Sequence, residues 1–326
     1  MRIIKMDKSI KLSIIDLILI PYSFLKKNTK GLLNLTYLNI VFYLIFFLCT
    51  FAITLIFKDY FYYQNINSKT FILFYLLMFL LNISMSFLQL IPLSMAKYIS
   101  GLWFVKNEKI SIKEAFNYMR PKLISLFGSQ ILIILLICLL VFLSLIPMGI
   151  NLGLLHMQYQ YNTFYYITPK ALLRPWVIIS QMLLIIPIIY FSLRLSFNFD
   201  SIIFNNKSAT KSITHSLKVT KKSVFQTLLY YLVSNIFNSI IMFVMIFIME
   251  IVAVITIVPF SMNDNLFLVV ILLGILWFVA FLIILTFFTF GMYSGQTLKY
   301  LDLCNQKGIK TILHDEIDIE KEKLLN

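Results

Sequence analysis

Long runs of apolar residues, separated by polar segments, dominate the pattern of this 326-residue chain. About 20 such residues are enough to cross the hydrocarbon core of a bilayer as a helix. Barrel strands would alternate between apolar and polar positions, whereas these runs are apolar on all sides, and a helix satisfies its own backbone in lipid. The pattern therefore predicts six transmembrane helices: Leu32–Phe57, Phe71–Met95, Leu123–Leu145, Pro175–Leu195, Val224–Val258 and Leu266–Gly291.

The fifth run is too long for one straight crossing at about 1.5 Å per residue. It must tilt, extend beyond the bilayer or break, and Glu250 marks the point where the lipid core ends. Ionisable residues inside spans are functional candidates by default. Glu250 is therefore a candidate proton or cation carrier, and the alternative is a hydrated residue near the outer interface.

A polar-to-apolar transition occurs three times, at the pairs Ser13-Ile14, Ser111-Ile112 and Ser212-Ile213, which are 98 and 101 residues apart. In the second copy, apolar residues recur from Ile112 at steps of four, three, four and four residues. This is the spacing of residues on one face of a helix. The third copy has apolar residues at most of the same offsets. The first copy is weaker because Pro21 falls where a helix would have to kink.

Each copy predicts an amphipathic helix at the cytoplasmic interface, with its apolar face in the acyl boundary and its lysines at anionic headgroups. Two spans follow each helix, so the units 13–95, 111–195 and 212–291 are predicted to be parallel repeats. The alternative is that any span entering from the cytoplasm begins with basic, amphipathic residues. Residues 1–300 would then form the six-span membrane domain, and 301–326 a charged cytoplasmic tail.

Lysine and arginine are distributed unevenly among the segments between the runs. Of the 28, 24 lie in segments on the side of the N-terminus and four on the other side. This bias predicts that the protein spans the cell membrane several times and has both termini on the cytoplasmic side. The net charge of +14 is thereby explained by topology, and we expect no nucleic acid as a partner.

Three segments together resemble the membrane domain of bacterial glycerophosphoryl diester phosphodiesterases. They are SIIDLILIPYSFLKKNTKGLL, KSATKSITHSLKVTKKSVFQTLL and GQTLKYLDLCNQKGI. In the last segment Tyr300, Asp302 and Leu303 are similar to the tyrosine-x-aspartate-leucine element that closes the family's domain. Cys304 stands where the family usually has an arginine.

The resemblance implies a helical fold and a place in the membrane for a stand-alone relative. It does not imply hydrolase activity, because the hydrolase is a separate barrel of about 250 residues. Only about 35 polar residues follow the last apolar run.

Motifs for catalysis or metal binding are absent from the sequence. His156, His215 and His314 are far apart and lack ligand spacing. No nucleophile elbow, Walker loop, zinc-protease motif or dinucleotide fingerprint occurs. We therefore expect no enzyme activity and no cofactor.

Charged residues beside the runs are the candidate contacts for lipid or a partner. Arg194 and Asp200 flank the cytoplasmic end of the fourth run, where they would clamp a lipid phosphate or a partner loop, or form an ordinary interfacial pair. The full set of candidates is Lys26, Lys27, Arg120, Lys122, Arg194, Asp200, Lys221 and Lys222.

Polar residues also lie within or near the runs. They would form interhelical hydrogen bonds or line a translocation path. They are Asn82, Gln89, Gln130, Gln181, Asn235 and Asn238.

The sequence thus predicts an all-α, six-span membrane protein built from three helical hairpins, each preceded by an interfacial helix. The leading functional hypothesis is a non-catalytic protein that organises membrane lipid or a protein partner at the cytoplasmic leaflet. The alternative is a transport component, which would work with a separate ATPase or an ion gradient. A transporter should contain a continuous polar path, whereas an organising protein should be packed with apolar side chains.

Overall fold

The computed structural model describes residues 12–62, 68–106, 111–158, 175–261 and 267–312. These parts of the chain are helical and contain no strand. The helices are α1 (Ile14–Lys27), α2 (Thr29–Tyr62), α3 (Ser68–Lys106), α4 (Ile112–Met119), α5 (Leu123–Gln158), α6 (Pro175–Leu195), α7 (Asn198–Asn205), α8 (Ala209–Thr220), α9 (Val224–Ser261) and α10 (Phe267–Gln306).

Six helical segments of the described chain are long and apolar enough to cross a membrane, which confirms the all-α, multi-pass prediction. The fifth run does not break, since α9 continues for 38 residues. Several helices extend beyond the predicted runs. In particular, α10 passes through the boundary proposed at residue 300, and its residues Leu301–Cys304 are buried.

Short helices precede α2, α5 and α9, although the three copies differ in detail. Ser13 and Ser111 cap α1 and α4 in capping boxes with Asp16 and Glu114, an arrangement that satisfies the first free N–H groups of a helix. Ser212 instead lies inside α8, which begins after Ser208. The shared Ser-Ile pair therefore marks the same structural position in two copies only.

The prolines of the first two copies have different effects on the helices. Helix α1 continues through Pro21 to Lys27. The face predicted in the second copy is interrupted, because α4 ends at Met119 and a 3-10 turn, Arg120–Lys122, precedes α5. Pro121 in this turn has no N–H to donate to the backbone hydrogen bond that a continuous helix would form.

The chain forms two compact units. Unit 1 contains the described residues up to Leu123, the segment Ile203–Asn206 and the described residues from Leu229 onward. Unit 2 contains the described residues of Ile124–Ile202 and Lys207–Leu228.

Buried residues of unit 1 are concentrated at one end of its long helices α2, α3 and α10, which pack against one another. In α3, for example, Met95, Ile99 and Phe104 are buried, whereas Ile72 and Phe79 are exposed. This packed end is called the basic end, because its exposed charged residues include Lys26, Lys27, Lys30, Lys113, Arg120 and Lys310. The apolar residues toward the other end of α2 and α3 are exposed in the way that lipid-facing helices require.

Helix α1 packs its apolar face on α10 at two glycines. The side chains of Leu17, Pro21 and Leu25 are buried there, beside Gly291 and Gly295. The face that was expected to enter lipid is therefore covered by protein, and a second apolar strip of α1 remains outward, with Ile15 and Leu19 exposed.

Replacement of Gly295 by alanine tests this packing. A Cβ at this position would lie 2.5 Å from the Tyr230 hydroxyl and 3.6 Å from the Leu17 carbonyl oxygen. We expect Gly295→Ala to lower the free energy of unfolding by about 1–3 kcal/mol, as overpacking does. The measurement is thermal unfolding in a mild detergent.

Gly274→Ala is the matched control, because Gly274 lies in the same helix with nothing within 4 Å of the added Cβ. Alanine is the better helix former by about 1 kcal/mol, so this variant should be neutral or slightly stabilised. Equal destabilisation of both variants would show that α9 and α1 do not pack closely on α10 at Gly295.

Candidate functional site

The segment Ile203–Asn205, which ends α7, is held inside unit 1 and is called the docked segment. The side chains of Ile203 and Phe204 are fully buried. Phe204 lies so close to Gly101 of α3 that an added Cβ would come within 2.5 Å of its ring. The same ring stacks on Tyr300 of α10, with the centroids 6.3 Å apart. Glycine in α3 is therefore what makes room for the phenyl ring.

Asn205 connects the docked segment to the end of α10. Its Oδ1 accepts a hydrogen bond from the Tyr300 hydroxyl, and its Nδ2 donates to the Lys310 carbonyl at 2.9 Å. Lys310 can reach this amide because α10 is followed by a turn in which Gly308 has a φ of +63°, a conformation that glycine adopts without strain.

The Ile203 carbonyl accepts two hydrogen bonds from the second short-helix region. The Tyr118 hydroxyl donates to it at 3.0 Å and the Lys122 Nζ at 2.7 Å. The same ammonium lies 3.8 Å from the centre of the Tyr118 ring, which in turn stacks on Tyr98 at 3.9 Å. Carbonyls in the last turn of a helix have no partner within it, and a cation there is favourable. Lys122, predicted as a lipid or partner contact, is thus engaged inside unit 1.

The family-like closing element is an interior element. Tyr300, Asp302 and Leu303 are all buried. The Asp302 carboxylate forms an ion pair with Lys299 at 3.2 Å and accepts a hydrogen bond from Gln306 at 2.9 Å. A buried carboxylate needs such partners because removing its charge from water is costly.

Lys97 and Lys299 were missed in the sequence analysis, although they are only 2% and 4% exposed. The predicted runs end at Met95 and Gly291, so that lysines beyond them resemble flanking charges. The available signal was that apolar residues continue past both lysines at helical spacing, as at Trp103 in α3.

Other polar groups share the interior between α2, α3 and α10. The Lys97 Nζ lies 5.6 Å from the centre of the Tyr293 ring. The side chains of Tyr43 and Gln89 lie close to each other. Asn39 is buried, and its Oδ1 has no hydrogen-bond partner in the described chain. The interior of unit 1 near its basic end therefore contains several polar side chains among its apolar ones.

Arg194 joins two helices within unit 2. Its guanidinium donates to the Tyr190 hydroxyl at 2.8 Å and to the Leu217 carbonyl of α8. Its own carbonyl accepts from the Ser216 hydroxyl at 2.6 Å. These bonds give Arg194 a positioning role between α6 and α8. Asp200, six residues further along, is fully buried in α7.

His215 lies on α8, and its surroundings shift its pKa. Burial lowers its pKa below 6.5, and the positive charges of Lys207 and Lys218 lower it further. Its Nδ1 lies 3.1 Å from the Ser201 hydroxyl. The neutral imidazole is therefore favoured in the folded state.

The remaining candidates lie on the surface of the described chain. Lys26, Lys27, Arg120, Lys221 and Lys222 are exposed, as is Glu250 on α9. The Lys27 ammonium lies 5.9 Å from the centre of the Trp103 ring. The structure thus separates exposed basic residues from Lys122 and Arg194, which have internal partners.

The polar residues predicted within or near the runs differ in how deeply their side chains are buried. Asn238 accepts a hydrogen bond from the Tyr22 hydroxyl, and burial raises the pKa of Tyr22 to about 12. Gln130 is half-buried, whereas Asn82 and Asn235 are exposed. The side chains of Gln181 and His156 lie outside the described part of the structure, as does His314.

No group of three or more histidine, cysteine or acidic side chains that could hold a metal ion occurs in the described residues.

Lys122 and Arg120 form a matched pair for mutation, since they occupy the same 3-10 turn. Lys122→Met removes a charged hydrogen bond to the Ile203 carbonyl, and we expect it to lower the free energy of unfolding by about 1–3 kcal/mol. Arg120→Met changes an exposed side chain and should alter stability by less than about 0.5 kcal/mol. Thermal unfolding in detergent measures both, and equal effects would contradict the internal role of Lys122.

Comparison with known proteins supports the resemblance found in the sequence. The family described as the membrane domain of glycerophosphoryl diester phosphodiesterase matches residues 20–323. No curated protein matches the chain, and no solved structure does. The family match includes the docked segment, the closing element and all six membrane-spanning segments. This chain therefore belongs to the family of membrane domains of glycerophosphoryl diester phosphodiesterase.

Proposed function

We propose that the chain is a non-catalytic membrane protein that organises anionic lipid at the cytoplasmic leaflet, with both termini in the cytoplasm. The observation that carries this proposal is the set of exposed lysine and arginine side chains at the basic end of unit 1. Each such cation near a negatively charged leaflet contributes about 1 kcal/mol to binding. Several acting together would retain anionic lipid selectively around the helix ends.

The acidic residues at this end support the same conclusion. Asp16 and Glu114 are used in the capping boxes of α1 and α4, where a negative charge interacts favourably with the helix N-terminus. They are therefore held away from the exposed side chains of Lys26, Lys27 and Arg120. The exposed apolar residues Ile15 and Leu19 beside them suit the boundary between headgroups and acyl chains.

Unit 2 has a comparable surface of its own. Lys218, Lys221 and Lys222 are exposed at the end of α8. Lys222 lies in the turn between α8 and α9 and has a φ of 64°. This backbone conformation is uncommon for non-glycine residues. This turn presents two adjacent ammonium groups immediately before α9.

A transport component is the second candidate, and the polar interior near Lys97, Tyr293 and Asn39 favours it. Among the described residues, most buried polar side chains of α2, α3 and α10 lie in the halves near the basic end. Beyond Tyr43, α2 also makes aromatic contacts, with Phe47 against Phe278 and Phe57 against Phe74, and the Thr50 hydroxyl is buried there. This distribution supports the organising function over a translocation path.

Lipid retention tests the proposal. The full chain is purified in mild detergent, and its bound lipids are measured by native mass spectrometry after exposure to mixed anionic and zwitterionic lipid. Replacement of Lys26, Lys27 and Arg120 by glutamine should weaken anionic-lipid binding about fivefold per cation removed. The wild-type preference should also decrease with salt.

Glu250→Gln is the control, because Glu250 is exposed on α9 outside the basic end. It should leave lipid retention unchanged. Unchanged retention in the triple variant would contradict the proposal, and reproducible recovery of an ATPase with the wild-type chain would favour the transport function instead.

A further inference from the structure

The chain reverses direction directly after α10. The Ile309 N–H donates to the Cys304 carbonyl at 2.9 Å, and the Gly308 N–H donates to the Asn305 carbonyl at 3.1 Å. These two bonds form a Schellman motif, in which a residue just beyond the helix adopts a left-handed conformation. Gly308 occupies that position, with a φ of +63°. The turn brings the residues that follow it to the docked segment.

Residues 308–311, called the strap, are held at the docked segment by one side-chain amide. The Lys310 carbonyl accepts a hydrogen bond from the Asn205 Nδ2 at 2.9 Å, and the next residue, Thr311, is only 1% exposed. The Oδ1 of the same amide accepts from the Tyr300 hydroxyl. Asn205 therefore joins the strap to a fully buried residue of α10.

The strap differs from the docked segment in its burial. The side chains of Ile203 and Phe204 are fully buried, whereas Gly308 and Lys310 are exposed. A Cβ added at Gly308 would meet nothing within 4 Å. Surface segments open at a lower free energy than the packed core beneath them. The strap is thus the part of this arrangement that opens most easily.

We propose that the strap opens and closes while the docked segment stays in place, and that the closed strap strengthens the hold on Asn205. Opening breaks the bond between the Asn205 amide and the Lys310 carbonyl. Because coupling between two sites is reciprocal, a ligand or partner that favours the closed strap also stabilises the docked segment. One that favours the open strap loosens the docked segment. This inference does not depend on lipid binding.

Cysteine labelling of the full chain in mild detergent tests the strap. The native residues Cys49 and Cys138 are replaced by serine and the buried Cys304 by alanine. Thr311→Cys then reports opening, through its rate of reaction with a water-soluble maleimide. Gln306→Cys, at an exposed position in the last turn of α10, gives the rate of an unprotected thiol. Thr311→Cys should react at least about tenfold more slowly.

The conformation of the turn is tested by two substitutions at Gly308. Gly308→Ala should accelerate labelling at position 311 by about 5- to 30-fold, because the left-handed conformation is unfavourable for alanine. Gly308→Asn should have a smaller effect, because asparagine tolerates this conformation better. Gly274→Ala is the control within α10 and should leave the rate unchanged.

The coupling to the docked segment is tested at Asn205. Asn205→Ala removes the bond to the Lys310 carbonyl and should accelerate labelling at position 311 by about 2- to 13-fold. Tyr300→Phe removes only the other bond of this amide and should have a smaller effect. Hydrogen exchange of the Ile309 amide, measured with Thr311 intact, should follow the same order. This second measurement retains the native strap if Thr311→Cys disturbs it.

Four results would overturn the proposal. Equal labelling at positions 311 and 306 would show that the strap is not closed. Equal effects of Gly308→Ala and Gly308→Asn would show that the turn does not control closure. Unchanged labelling and exchange in Asn205→Ala would show that the strap and the docked segment are not coupled. Acceleration matched by an equal rise in global unfolding would show that the strap opens only when unit 1 unfolds.

Discussion

The packing of unit 1 depends on hydrogen bonds to polar backbone and side-chain groups that folding removes from water. The docked segment brings the partly buried Ile203 carbonyl and the half-buried Asn205 amide against this interior. Tyr118, Lys122 and Tyr300 supply the hydrogen bonds that these groups would otherwise lack. An unsatisfied buried polar group costs about 1–3 kcal/mol, so these side chains determine whether the docked segment remains in place.

The same requirement explains why the core lies at the basic end. Close packing at Gly101, Gly291 and Gly295 brings α1, α3, α10 and the docked segment together there, while the other halves of α2 and α3 expose apolar residues. Such halves are stable only in lipid or against other membrane helices. A domain with this division has exposed lysines at its packed end and exposed apolar residues toward its other end.

The apolar runs were sufficient to predict the membrane-spanning helices, because length and hydropathy act locally along the chain. The repeated Ser-Ile pairs coincide with the start of the first two short helices, where Ser13 and Ser111 are the N-caps, but not of the third, where α8 begins after Ser208. The roles of Lys122 and Tyr300 depend on contacts with residues 81 and 95 positions away. No periodicity records such contacts. The family resemblance marked Tyr300 as important without indicating its partner.

A double-mutant cycle between Tyr300 and Asn205 tests the central claim, that the closing element holds the docked segment in unit 1. The free energy of unfolding is measured in mild detergent for the wild type, Tyr300→Phe, Asn205→Ala and the double variant. The account predicts a coupling energy of about 1 kcal/mol, as for residues joined by a partly buried hydrogen bond. Additive effects, with a coupling energy below about 0.3 kcal/mol, would contradict it.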